Sequence, residues 1–512
     1  MFFIALFSAS ADTQQAANAE IHALQATKQV RAGNILEAES ELRKAVRLAP
    51  DNMLFLASLG TVLAMEKKFS ESNAIFKKVL SKQPDDTTVR RYLAANLWQM
   101  HNYPEARRNL ELLLKQTPTD KESLLLLGMV AENMKDYAKA AEALASVPEL
   151  TERRPESIAA LAESYYHIGK AANAQAALNK MAGFPDSHSM LLGAQVADAA
   201  GDYETAEHML ASIAPDDANH TVIEYRIALA RFHAKKFALS QDALLTLIQQ
   251  NAGGSEIYNL LGWCYYNQAE PNKAVQTFER AIELFPSDEA NYLDLIKMHM
   301  ANRSFAAALR VAKNATAAFP NSVKAFESRG SAERKLEQFR PSVDSFTEAH
   351  RLDPSWPDAL LGLAQSESSA GMVEESATNF QLGIKRFPRD LRFKVQYASS
   401  LLKQAEGGDA TAEIKAQILL KSALAADDSL ANAHYQLGNL ALRKGETSQA
   451  RGHLEKAEKL APNSSEVHFA LANVYRRLGR KDRAAHEMEM FKNLTSASEV
   501  GATPQSPGEK PD

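Results

Sequence analysis

Side-chain catalysis needs a nucleophile beside a base, two carboxylates in unlike settings, or ligands spaced for a metal ion. This chain has 13 histidines and 63 carboxylate residues, and none of these patterns forms. His486-Glu487 opens a zinc-protease motif, but Met490 stands where the second histidine would be needed one helical turn on. GxSxG, the Walker A loop and GxGxxG are all missing, so the nucleophile-elbow and phosphate-cradling readings fall away. The single cysteine, Cys264, permits no internal disulfide, no CxxC redox pair and no cysteine zinc site, and reads as a small buried apolar residue. Residues that could act chemically are scattered. The sequence therefore points to binding rather than catalysis, with no enzyme activity, cofactor or metal expected.

The bulk numbers agree. Of 512 residues, 45% are hydrophobic and 24% charged, which is ordinary for a soluble chain. Basic and acidic residues number 58 and 63, a net charge of -5, which argues against nucleic acid as a partner because phosphate neutralisation needs a basic face. The start, MFFIALFSASADTQQ, sets an apolar run, Met1 to Phe7, before Ala9-Ser10-Ala11, a small-x-small cleavage pattern without a basic n-region. Residues 1–11 are expected to be a truncated signal peptide whose start lies upstream of Met1, with mature protein from about Asp12 and residues 12–18 as a lead-in. A periplasmic or secreted location follows, with a cytoplasmic one as the alternative. No stretch approaches 18 consecutive apolar residues, so no transmembrane helix is expected.

The organisation of the chain comes from its prolines. Pro50, Pro84 and Pro118 stand 34 residues apart, and so do Pro286, Pro320, Pro354 and Pro388; Pro462 follows 74 later. Counting each proline as position 32, position 8 is small in thirteen of fourteen units (Gly60, Ala94, Gly128, Gly262, Gly330 and Gly438 among them), and only Ile296 departs. Position 20 is Ala or Ser throughout, and position 24 is Phe or Leu in most units, as at Phe76, Leu110, Phe278 and Phe346. Positions 4, 7 and 11 share one helix face, and positions 20, 24 and 27 another. Small residues at a crossing let two helices approach closely. Proline ends the second helix of each pair.

These residues resemble the tetratricopeptide repeat family, most clearly in LLGWCYYNQAEPNKAVQTFERAIELFP from Leu260 to Pro286. The resemblance covers fourteen units over residues 19–498, beginning near Ala19, Met53, Thr87, Lys121, Pro155, Ser187, Thr221, Ser255, Glu289, Val323, Pro357, Leu391, Ala431 and Ser465. It implies an all-α fold, a right-handed α-solenoid of stacked helix-turn-helix repeats. Pro148 and Pro215 end their units early, which marks hinges or changes of pitch. About six extra residues around Gly407-Gly408-Asp409 predict a longer inter-helix loop near 405–412. The polar, Pro/Gly-rich tail, 499–512, is expected to be disordered.

The resemblance also implies where a ligand lies: in a concave groove lined by the first helices, at positions 2, 5, 9, 12 and 13. In the central unit these are Glu256, Asn259, Trp263, Tyr266 and Asn267, an aromatic pair flanked by amides that suits a peptide or a sugar. The last two units give Asn439, Arg443, Asn473, Arg476 and Arg477, donors for a carboxylate or an extended backbone. They resemble the carboxylate clamp of chaperone-binding members only in part, since Tyr435 and Phe469 replace its position-5 lysine. Arg91 and Trp98 form a third candidate near the N-terminal end. The function expected is a non-enzymatic scaffold for a protein or peptide partner, like arrays in bacterial envelope assembly, secretion and polysaccharide export. A glycan- or peptidoglycan-associated module and the regulatory subunit of an enzyme complex are the alternatives.

Overall fold

The computed structural model describes residues 2–184, 186–213 and 219–499. Among them lie 29 α-helices, one 3-10 helix and no strand. Fourteen helical hairpins follow one another, with one extra short helix, Pro148–Thr151, tied back by Thr151 Oγ1, which donates to the Leu144 carbonyl at 2.8 Å. The first hairpin opens on a long helix, Phe2–Arg31, that runs through the expected lead-in. The chain divides into two compact units, Met1–Ala243 and Leu244–Asp512, each a stack of such hairpins. The tail beyond Glu499 and the early proline, Pro215, lie outside the described residues.

The proline beat sets the helix ends. Two residues after five of the eight prolines, Pro50, Pro84, Pro286, Pro320 and Pro462, comes a capping side chain. Asn52, Asp86, Asp288, Ser322 and Ser464 each accept a backbone N–H from the first turn of the helix that follows. Inside each hairpin the turn needs one residue in the left-handed region. Glycine supplies it at Gly33, Gly169, Gly201, Gly371, Gly445 and Gly479, but Lys67, His101, Ala269 and Arg303 adopt it too, with φ between 57° and 60°.

The crossing inside each hairpin explains positions 8, 20 and 24 together. A Cβ on Gly60, Gly128, Gly262, Gly330 or Gly438 would lie 2.5–2.7 Å from the position-24 side chain of the same hairpin: Phe76, Leu144, Phe278, Phe346 or Leu454. Ile296 turns out to be the same solution reversed. Its unit carries Ala312 at position 24, so the bulk has moved to the first helix, and both residues are buried. Serine at position 20 bonds across the same crossing. Ser72, Ser240, Ser342 and Ser376 donate to the carbonyls of Gly60, Ala228, Gly330 and Ala364 at 2.6–2.8 Å.

The expected long loop near 405–412 is corrected. The extra residues lengthen the helices, to Arg392–Glu406 and Ala410–Ala426, and leave a three-residue connection. Ala, Gln, Glu, Leu and Lys dominate the added turns and favour helix. Asp409 caps the second helix by accepting from the Thr411 and Ala412 N–H groups, while Gly408 takes φ +98°.

Candidate functional site

In the first unit, four consecutive first helices line one surface: Thr87–Gln99, Lys121–Asn133, Pro155–His167 and Ser187–Ala199. Two adjoining cavities of about 820 and 650 Å³ open there and share Met129 and Glu156 as walls. The smaller is apolar at its floor, with Trp98, Leu125, Leu126 and Met129, and carries Arg91 and Arg154 at its edge. The larger is acidic, with Glu132, Glu156 and Glu163, and is flanked by Tyr166, His167 and Gln195. Space exists because the side chains facing it are small: Ala95, Ala159, Ala160, Ala199 and Ala200.

The groove is braced by bonds between successive repeats. Arg91 Nη1 donates to both carboxylate oxygens of Asp120 at 3.1 and 3.2 Å, and Ser123 Oγ donates to Asp120 at 2.7 Å. Tyr166 donates to Asp202 at 2.6 Å, and burial followed by that bond pushes its phenol up. The His167 ring lies flat on Tyr137 at 3.8 Å. Burial, then the neighbouring Glu163 charge, holds the Glu132 carboxyl above the usual carboxylate range. A raised Glu132 carboxyl beside a second carboxylate in a half-buried cleft forms a site that a cation relieves.

The central cluster has a different character. Trp263 and Tyr266 are each 7% exposed. The Trp263 ring meets Tyr266 edge-on at 5.6 Å and Phe278 at 5.7 Å. Asn259 is engaged in donating to Asp294 at 2.6 Å, and Asn267 in donating to the Trp263 carbonyl at 2.8 Å. Only Glu256 of the five is exposed. The rings fill the surface they were expected to furnish as an open platform. At the other end, Arg476 is hydrogen-bonded to Asn473, Arg477 donates to the Leu442 carbonyl at 2.7 Å, Arg443 pairs with Glu406 at 3.4 Å, and Asn439 is half-buried. Arg91 and Trp98, by contrast, stand together on the groove of the first unit.

Among the described residues one cluster has metal-ligand composition: Glu458, His468 and Glu487, with ligand atoms within 4.8 Å. His468 Nδ1 bonds Glu487 at 2.7 Å and Nε2 bonds the Pro462 carbonyl at 2.8 Å. Both nitrogens are already spent, so the cluster is a buried ion pair.

Comparison with known proteins fits this geometry. Models of the tetratricopeptide repeat match residues 24–87 and 435–489, 63–130, 122–150, and 255–288. The matched segments of this chain are tetratricopeptide repeats. Repeats of this family serve as protein-interaction scaffolds. Tetratricopeptide repeat protein 7B of Homo sapiens is 30% identical over 131 residues, 25% of this chain and 16% of that protein, so this chain spans well under two thirds of the length of its curated relative. Among solved structures, a chain of the APC/C hetero-tetramer Cut9-Hcn1 is 14% identical with a TM-score of 0.38, covering 95% of this chain and 96% of its own. Yeast Tom70 is 13% identical with a TM-score of 0.39, covering 94% and 98%. Within the tetratricopeptide array, the groove residues Arg91, Trp98, Glu122, Met129, Glu156, Glu163 and Gln195 occupy the positions that the resemblance marks for ligand contact. Large aromatics at these positions do not mark the open stretch; small residues do, since Ala95 and Ala159 at contact positions leave a cavity, whereas Trp263 closes one.

Proposed function

We propose that this chain is a non-enzymatic scaffold that holds an extended segment of a protein partner in the groove of the first unit. The observation that carries the reading is the pair of adjoining cavities on four successive first helices, apolar at one end and acidic at the other. A segment with an apolar side chain on Trp98 and Met129, and a lysine or arginine a few residues along between Glu132 and Glu163, satisfies both ends. The buried rings of Trp263 and Tyr266 offer no stacking face to a sugar, which supports a peptide over a glycan. The apolar run before Ala9-Ser10-Ala11 supports export, and a role in envelope assembly, secretion or polysaccharide export fits an exported scaffold of this family. N-terminal sequencing of protein from the native host is expected to read from Asp12; an intact Met1 in a cytoplasmic fraction would refute export.

Selection from a random peptide library tests the binding reading. Binders should be enriched in an apolar-then-basic pattern. Trp98→Ala should cost about 2 kcal/mol of affinity as a buried anchor. Glu163→Gln should weaken basic peptides selectively, while Trp263→Ala and Arg476→Ala should leave affinity unchanged in variants that remain folded. Binders insensitive to Trp98→Ala and Glu163→Gln would move the site elsewhere.

A further inference from the structure

In the second unit, the first helices Val323–Lys335, Pro357–Ser369 and Arg392–Glu406 enclose a pocket of about 150 Å³. Arg334 and Lys403 line it, with the hydroxyls of Ser368, Ser369, Ser399 and Ser400. The amides of Gln365 and Gln396 add further donors. Neither cation has an ion pair among the described residues, and the Arg334 Nε is buried with no hydrogen-bond partner. The carboxylates on these helices are occupied. Glu333 is held by Arg329 and Ser345, Glu367 by Asn379, Glu327 by Trp356, Asp358 by Arg392, and Glu406 by Arg443. Burial alone pushes the Arg334 guanidinium down, with no facing carboxylate to offset it.

A half-buried guanidinium whose Nε is buried without a partner and which has no counter-charge is costly, and an anionic ligand that completes it offsets that cost. In roughly five water volumes the pocket supplies two positive charges, the Gln365 and Gln396 amides, the Ser369 hydroxyl and one hydroxyl proton of the bonded Ser368–Ser400 pair, while Ser399 already donates to the Val395 carbonyl. A carboxylate has two oxygens and one charge. A phosphate monoester has three free oxygens and a charge of about -1.5 to -2 at neutral pH, which matches the donors and cations better. We propose that this pocket binds the phosphate of a phosphorylated residue in a protein segment laid along the first helices of the second unit. It is separate from the apolar and acidic groove of the first unit and does not depend on it.

The test uses the full chain and four probes: inorganic phosphate, a short Gly/Ala peptide with one phosphoserine, and the same peptide with serine or glutamate. The phosphopeptide is expected to bind, inorganic phosphate to compete more weakly, and the serine peptide not to bind. Arg334→Met keeps the aliphatic stem and removes the charge; Lys403→Met changes an exposed residue that puts the fold at little risk. Each should weaken the phosphopeptide about tenfold or more. In phosphate-free buffer Arg334→Met should melt at or above the parent, since it removes a half-buried cation that has no ion pair. Added phosphate should raise the melting point of the parent and not of that variant. Failure of both phosphate probes to bind, or equal binding by both variants, would overturn the site. Glutamate peptide binding as tightly as phosphopeptide would reassign it to carboxylates, and binding of inorganic phosphate alone would remove the partner segment.

Discussion

His468 donates from both ring nitrogens, to the Glu487 carboxylate and the Pro462 carbonyl, which an ionised Glu487 allows only to the imidazolium. Burial opposes the charge, but these two bonds and the nearby Glu458 outweigh it and raise the pKa above 6.5. One repeat earlier, His453 is lowered from 6.5 by burial, then by His434 and Lys421, with Asp428 opposing. The signs differ. For His468 the folded chain holds the extra proton, so its contribution is complete below the unfolded pKa and is lost as pH rises through the raised value. For His453 the unfolded chain holds it, so stability is lost as pH falls below 6.5. The last two repeats should therefore be most stable near pH 6.5, which amide exchange across Ala431–Arg477 would show as a maximum. His468→Gln should remove the alkaline fall and His453→Gln the acid fall; a flat profile between pH 5 and 8 would contradict the assignment. None of this was legible in the sequence, because position 4 and position 23 meet only once the hairpin closes.

At the scale of the helix, the proline beat and the small residues at positions 8 and 20 were enough to place fourteen hairpins, since each reflects a steric demand repeated in every unit. What lay opposite position 8 was less legible. Position 20 looked like the facing residue, yet Gly262 abuts Phe278 at position 24, where an added Cβ would stand 2.7 Å from the ring. Gly262→Leu should cost about 1–3 kcal/mol or more, concentrated in neighbouring repeats. The Ile296/Ala312 unit suggests the remedy: Gly262→Ile with Phe278→Ala should recover much of the loss. Melting curves that show no coupling between the two substitutions would mean the helices do not meet there. The helix extension at Gly407 was hidden for a related reason. Glycine and aspartate mark a turn but do not tell whether added residues join the loop or the helices beside it.

For the whole molecule, periodicity revealed the fold and concealed the site. A solenoid offers the same groove positions in every repeat, so the residue types must say which stretch is open. Aromatics drew attention to Trp263, whose ring is buried, while alanines around Met129 left the larger space. A partner segment on the first helices of repeats three to six is the binding mode proposed for this scaffold. Hydrogen exchange on the full chain with a selected apolar-then-basic peptide tests this most directly. Protection is predicted across Thr87–Gln99, Lys121–Asn133, Pro155–His167 and Ser187–Ala199, abolished by Trp98→Ala with Glu163→Gln. Protection confined to the second helices, or to Leu244–Asp512, would contradict it.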